Sequence, residues 1–112
     1  MGIKSYRDLI VWQKAMGLVT DVYAITKDFP KEEQYGLTAQ IRRSAVSVPS
    51  NIAEGYGRKS TLDYIRFLQI ACGSLYELQT QLEISVNLKY MTKEKSEGIF
   101  VLFNEINACS TV

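Results

Sequence analysis

Residues 60–88 read STLDYIRFLQIACGSLYELQTQLEISVNL. No proline interrupts the run, and its one glycine is Gly73. Ile65, Leu68, Cys72, Leu75, Gln79, Leu82 and Val86 recur at steps of three and four, the spacing of a seam between packed helices. Ser60-Thr61-Leu62-Asp63 fits a capping box, with Asp63 reaching back to the Ser60 N–H. The stretch therefore predicts one helix from Ser60 to about Leu88. At about 1.5 Å per residue it is a rod of roughly 40 Å, the longest in the chain.

The opposite side of the same helix carries Arg66, Ile70, Gly73, Glu77, Thr80, Ile84 and Leu88. A solvated face has no use for Ile70, Ile84 and Leu88 in line with a glycine. Glycine inside a helix costs about 1 kcal/mol relative to alanine, which is understandable where another backbone comes close. A helix apolar on two sides has two partners. The second row is thus a candidate subunit interface.

Upstream, Leu9, Trp12, Met16, Val19, Tyr23 and Thr26 trace a first helix from about Leu9 to Asp28, with Val11, Ala15, Val22 and Phe29 widening the stripe. Phe29-Pro30 ends it, because a residue before proline avoids the α region. A second helix begins between Lys31 and Leu37 and runs to about Glu54, with Leu37, Ile41, Ala45, Val48 and Ile52 on its core face. Gly55 or Gly57 is expected in the left-handed position after it. Pro49 removes an interior N–H, so a kink is expected, not a stop, since the apolar stripe continues to Ile52. A fourth helix starts after Thr92 and places Ile99, Leu102, Phe103, Ile106 and Cys109 on one side. Strand signals are weak. The fold class is all-α: an antiparallel up-down four-helix bundle with a long third helix and a proline-kinked second one, spanning 1–112 as a single domain.

The second helix also bears a polar row of Gln40, Arg43, Ser47, Ser50 and Glu54, with Asn51 at its edge. These are mostly short side chains, suited to close hydrogen-bonded packing. The row is read as a second half of the subunit interface, with Arg43 pairing a carboxylate such as Glu54 or Glu77 of a neighbour.

Composition limits the chemistry. The 112-residue chain has no histidine, two cysteines and a formal net charge of +1. Without histidine the commonest general base and metal ligand is missing, and Ser-His-Asp or Cys-His arrangements are impossible. Two distant cysteines, Cys72 and Cys109, do not make a zinc site; both are read as small buried hydrophobes in a reducing compartment. No catalytic residue, cofactor or metal is assigned, and the chain is read as a non-enzyme. No apolar run is long enough to span a bilayer, and MGIKSYRDLIVW lacks the apolar core of a signal peptide. A cytoplasmic location is expected.

Positive charge gathers locally. Arg58, Lys59 and Ser60 stand where the third helix begins, with Arg66 two turns on and Tyr56 nearby. Free N–H groups at a helix start attract anions, and tyrosine stacks on bases. These five residues are the candidate contact for RNA or DNA. A solvated basic turn is the alternative.

Several stretches carry a resemblance. GLTAQIRRSAVSVPSNIAEGYGR, then YIRFLQIACGSLYELQTQLEIS, together with RDLIVWQKA and KDFPKEEQYGL, resemble the bacterial four-helix bundle family encoded in intervening sequences of 23S ribosomal RNA genes. The runs SxPxNIAEG and GSLxELxTQL carry most of the match, which covers nearly the whole chain. The resemblance implies an up-down bundle that assembles as a ring, expected to be a homopentamer. The chain is also similar to the accessory variability proteins of diversity-generating retroelements. Those are strongly basic rings that work with a reverse transcriptase and nucleic acid. The resemblance implies no settled biochemical activity for the intervening-sequence proteins themselves.

Overall fold

The computed structural model describes residues 2–110, with side chains placed for 2–107. It contains four α-helices: α1 (Ile10–Thr26), α2 (Leu37–Tyr56), α3 (Thr61–Asn87) and α4 (Lys93–Ser110). Short 3-10 turns at Tyr6–Asp8 and Lys31–Glu33 precede α1 and α2. No strand is present among the described residues. The architecture is that of four packed helices, compatible with a four-helix bundle.

Helix α2 packs on α3 and α1, and α4 closes against α1 and α3. Along the α2–α3 pair, Ser47 meets Ser74, while a Cβ on Gly55 would touch Tyr64 and Phe67. Residues advancing along α2 therefore meet residues receding along α3. The α1–α4 seam includes a Lys14–Glu105 ion pair of 3.0 Å.

The core contains Val11, Ala15, Leu18 and Val22 of α1, Ile41, Ala45, Val48 and Ile52 of α2, Leu68, Ala71, Leu75, Leu78 and Leu82 of α3, and Ile99, Phe103 and Ile106 of α4. On α2 and α4 these are the expected faces; Cys109 lies outside the residues with described side chains. On α1 and α3 the faces are corrected. The buried line of α1 is the one expected only to widen the stripe, with Leu18 added, whereas Met16 and Tyr23 are exposed. On α3 the seam is Leu68, Ala71, Leu75, Leu78, Leu82 and Ser85, rotated from the expected one, so Ile65, Cys72, Gln79 and Val86 are only half-buried. Cys72 is a free thiol at the edge of the core, not within it. The rotation is possible because Ser85 hides its hydroxyl by donating to the Gln81 carbonyl at 2.9 Å. A buried serine bonded this way passes for an apolar residue.

The starts of α3 and α4 carry side-chain caps from their N-cap residues and those of α1 and α2 do not; at α3 the cap is one-sided, without the expected return bond from Asp63 to the Ser60 N–H. Ser60 Oγ accepts from the Asp63 N–H at 3.1 Å, and Thr92 Oγ1 accepts from Lys95 N at 3.2 Å. Neither Gly55 nor Gly57 is left-handed: α2 runs through Gly55, and Gly57 has φ −75°. Gly55 serves another purpose, because an added Cβ would lie 2.6 Å from Phe67 Cβ; α2 and α3 touch there. The left-handed residue is instead Lys89, φ 64°. Tyr90 N donates to Ser85 O at 2.9 Å and Lys89 N to Val86 O at 3.0 Å, a Schellman close to α3. Tyr90 continues to Glu33, its hydroxyl donating to the carboxylate at 2.9 Å, while Glu33 also accepts from Leu37 N at 3.1 Å. This clasp joins the turn before α2 to the turn before α4.

Candidate interaction surfaces

The helical register of α3 puts Arg66, Ile70, Gly73, Glu77, Thr80, Ile84 and Leu88 on its exposed side. Ile70, Ile84 and Leu88 are 45%, 42% and 50% exposed, and Tyr76 beside them is 60% exposed. These are large apolar surfaces left to water by the protomer's own packing. A Cβ on Gly73 meets nothing within 4 Å, so the glycine marks a smooth open strip of backbone.

The polar row of α2 divides. Gln40, Arg43, Ser50 and Glu54 are exposed, but Ser47 and Asn51 are half-buried. Ser47 Oγ and Ser74 Oγ are 2.8 Å apart, and Asn51 Nδ2 donates to the Ser47 carbonyl and hydroxyl at 2.8 and 2.9 Å. The middle of the row is therefore used inside the protomer, to seat α2 on α3 beside the buried Pro49. That revises the reading of a continuous outer stripe. Glu54 is engaged too, paired with Arg58 at 2.8 Å. Arg43 and Glu77 are without an ion pair among the described residues and line one α2–α3 cavity of about 310 Å³, over the Ser47–Ser74 bond.

At the other end of α2 the basic turn is partly committed. Arg58 pairs with Glu54 and lies over the Phe67 ring at 4.9 Å. Ser60 caps α3, and Asp63 in the first turn already complements the helix dipole. Tyr56 donates to the Ile3 carbonyl at 3.3 Å and meets Tyr64 edge-on. Lys59 and Arg66 are exposed and outside any ion pair among the described residues.

A third surface, not expected from the sequence, lies at the α1–α2 junction. Two neighbouring cavities there, of about 210 and 500 Å³, share Gln34, Thr38 and Arg42. Arg42 donates from Nε to Thr26 Oγ1 at 2.9 Å and stacks over the Tyr23 ring at 4.5 Å. The available signal was the Arg42-Arg43 pair following Tyr35, which a bundle core does not need.

Among the described residues, no group of three or more Cys, Asp or Glu is placed to hold a metal ion. No described helix is long and apolar enough to cross a membrane.

No curated protein matches the chain. Among solved structures, it is similar to a crystal structure of a protein of unknown function from the S23 ribosomal protein family of Bacteroides thetaiotaomicron. The TM-score is 0.80 at 27% identity, over 90% of this chain and 94% of that one. The family model for the 23S rRNA-intervening sequence protein matches residues 7–111, so the chain belongs to that family.

Proposed function

We propose that the protein is a non-enzymatic, cytoplasmic scaffold or binding module that works as a ring of identical subunits. Each subunit is read as an antiparallel up-down bundle with α2 bent at Pro49, and the family resemblance favours five subunits. The observation that carries this reading is the exposed face of α3, where Ile70, Ile84 and Leu88 align with the open backbone at Gly73. Exposed apolar rows of this kind mark interaction sites. Arg43 and Glu77, each without an ion pair among the described residues, supply opposite charges beside it.

Sedimentation equilibrium tests the reading. The expected mass is about five times the 12.7 kDa protomer, reduced in Ile84→Glu and in Gly73→Trp. A wild-type protein that stays monomeric at high concentration refutes it.

A second reading has nucleic acid bound through Arg58, Lys59, Ser60, Arg66 and Tyr56, repeated around the ring. The exposed, unpaired Lys59 and Arg66 favour it, and multivalency raises the avidity of a weak patch. Binding of single-stranded RNA or DNA that weakens steeply with salt, and is lost in Lys59→Glu/Arg66→Glu, is the expected result. Binding that ignores both substitutions refutes it.

A further inference from the structure

We propose that the cleft between α1 and α2 is a binding site for a nucleotide unit, a phosphate ester carrying a planar ring. It lies at the N-terminal end of α2, away from the Arg58 turn, and does not depend on either reading above.

Charge comes first. Lys27, Lys31 and Arg42 line the smaller cavity, and Arg42 and Arg43 the larger. No acidic side chain lines either one. The two ion pairs among the described residues, Lys14–Glu105 and Arg58–Glu54, involve none of these cations. The nearby carboxylate of Glu33 is engaged with Tyr90 and the Leu37 N–H. Arg43 also faces the cavity it shares with Glu77, so the cations left to this cleft are Lys27, Lys31 and Arg42; Asp28 and Glu32, the chain neighbours of the two lysines, line neither cavity. Three cations around one cleft raise the local concentration of anions, and guanidinium and ammonium groups are the usual phosphate partners.

The second observation is an orphan hydroxyl. Thr38 lines both cavities and is 6% exposed, yet its Oγ1 has no hydrogen-bond partner among the described residues. A buried polar atom left unpaired is costly and calls for an explanation; at Thr38 the adjoining cavities give a ligand or a water access to it, whereas the other such atom among the described residues, Gln81 Oε1, lines neither cavity.

The third is aromatic. Tyr35 is 90% exposed at the larger cavity, whose apolar lining is completed by Tyr23, Ala39 and Val46. An uncovered tyrosine ring is a stacking platform for a base. The smaller cavity, with its lysines, suits the phosphate; the larger suits the ring. Arg42, held by Thr26 and Tyr23, stands on the wall between them.

Titration calorimetry on the intact protein tests this with AMP, adenosine, inorganic phosphate and a short single-stranded RNA. AMP is expected to saturate, with adenosine and phosphate each at least about tenfold weaker. Lys31→Glu and Tyr35→Ala, both at exposed positions, are each expected to weaken AMP about fivefold or more. RNA that binds more tightly than AMP and responds to the same substitutions identifies the unit as part of a strand. AMP as tight as RNA identifies a free nucleotide. No AMP or RNA binding overturns the proposal, as does phosphate or adenosine binding as tightly as AMP. Binding lost in Arg58→Glu/Lys59→Glu but retained in Lys31→Glu and Tyr35→Ala moves the site to the other end of α2, and also overturns it.

Discussion

Gly55→Ala places a methyl group where α3 leaves no room. The new Cβ would sit 2.6 Å from Phe67 Cβ, 3.2 Å from Tyr64 Cδ1 and 3.4 Å from the Tyr64 carbonyl oxygen. Carbon atoms rest at about 3.5–4.0 Å, so the overlap is about 1 Å. Phe67 Cβ is fixed to its backbone and no rotamer moves it away, so α2 and α3 must separate locally. Overpacking of this kind costs about 1–3 kcal/mol. The helix preference of alanine over glycine returns about 1 kcal/mol. The expected outcome is a net loss of up to about 2 kcal/mol. Gly17→Ala and Gly98→Ala are the controls, because both glycines are helical and a Cβ at either meets nothing within 4 Å. Each is expected to gain about 0.5–1 kcal/mol. Urea unfolding followed by circular dichroism at one fixed protomer concentration reads the differences as opposite shifts in midpoint. Gly55→Ala shifting the midpoint upward with the controls would refute the close approach of α2 and α3.

Lys89→Gly is expected to stabilise by about 0.5–1 kcal/mol in the same assay, since it relieves a side chain held at φ 64°. Leu78→Ala, in the core of α3, is expected to cost about 2–5 kcal/mol, whereas Leu62→Ala, 79% exposed, is expected to stay within about 0.5 kcal/mol of wild type. The Leu37 N–H, then the Tyr90 hydroxyl, hold the Glu33 carboxyl below its ordinary pKa. Its contribution is therefore complete above the unfolded-chain value and disappears as pH falls through the folded one. Thermal melts should show a smaller stability loss on acidification in Glu33→Gln than in wild type. Tyr90 is shifted the other way, raised first by its bond to Glu33. Its contribution is complete below the ordinary tyrosine value and disappears as pH rises through the folded one, a loss that Tyr90→Phe should abolish.

Helix positions were legible because the punctuation is strong: Phe29-Pro30, Ser60 and Thr92 each act where capping and proline rules place them. The faces of α1 and α3 were harder to read. Both helices are apolar on more than one side, so periodicity alone cannot choose among adjacent stripes. Leu18 and Ala71 are as eligible as Val19 and Cys72 until the neighbouring helices are in place, whereas Leu78 is a better core candidate than Gln79 on hydropathy alone. Gln81 and Ser85 look wet in a sequence and are buried. The exposed row of α3 was legible, since it needs only one helix. Two residues of the α2 row, Ser47 and Asn51, turn inward because Ser47 finds its partner, Ser74, across the α2–α3 contact. The α1–α2 cleft gathers residues from two helices and the turn between them, an arrangement that no single stripe discloses.

The clasp between Tyr90 and Glu33 bears on motion. It rivets the segment carrying Lys31 and Gln34 to the linker ahead of α4. A molecule settling on that segment meets a floor already set in place, so little ordering entropy is lost on docking. The bond spans 57 residues of sequence, so cutting it at either partner releases two connections at once: the turn that leads into α2 and the one that leads into α4.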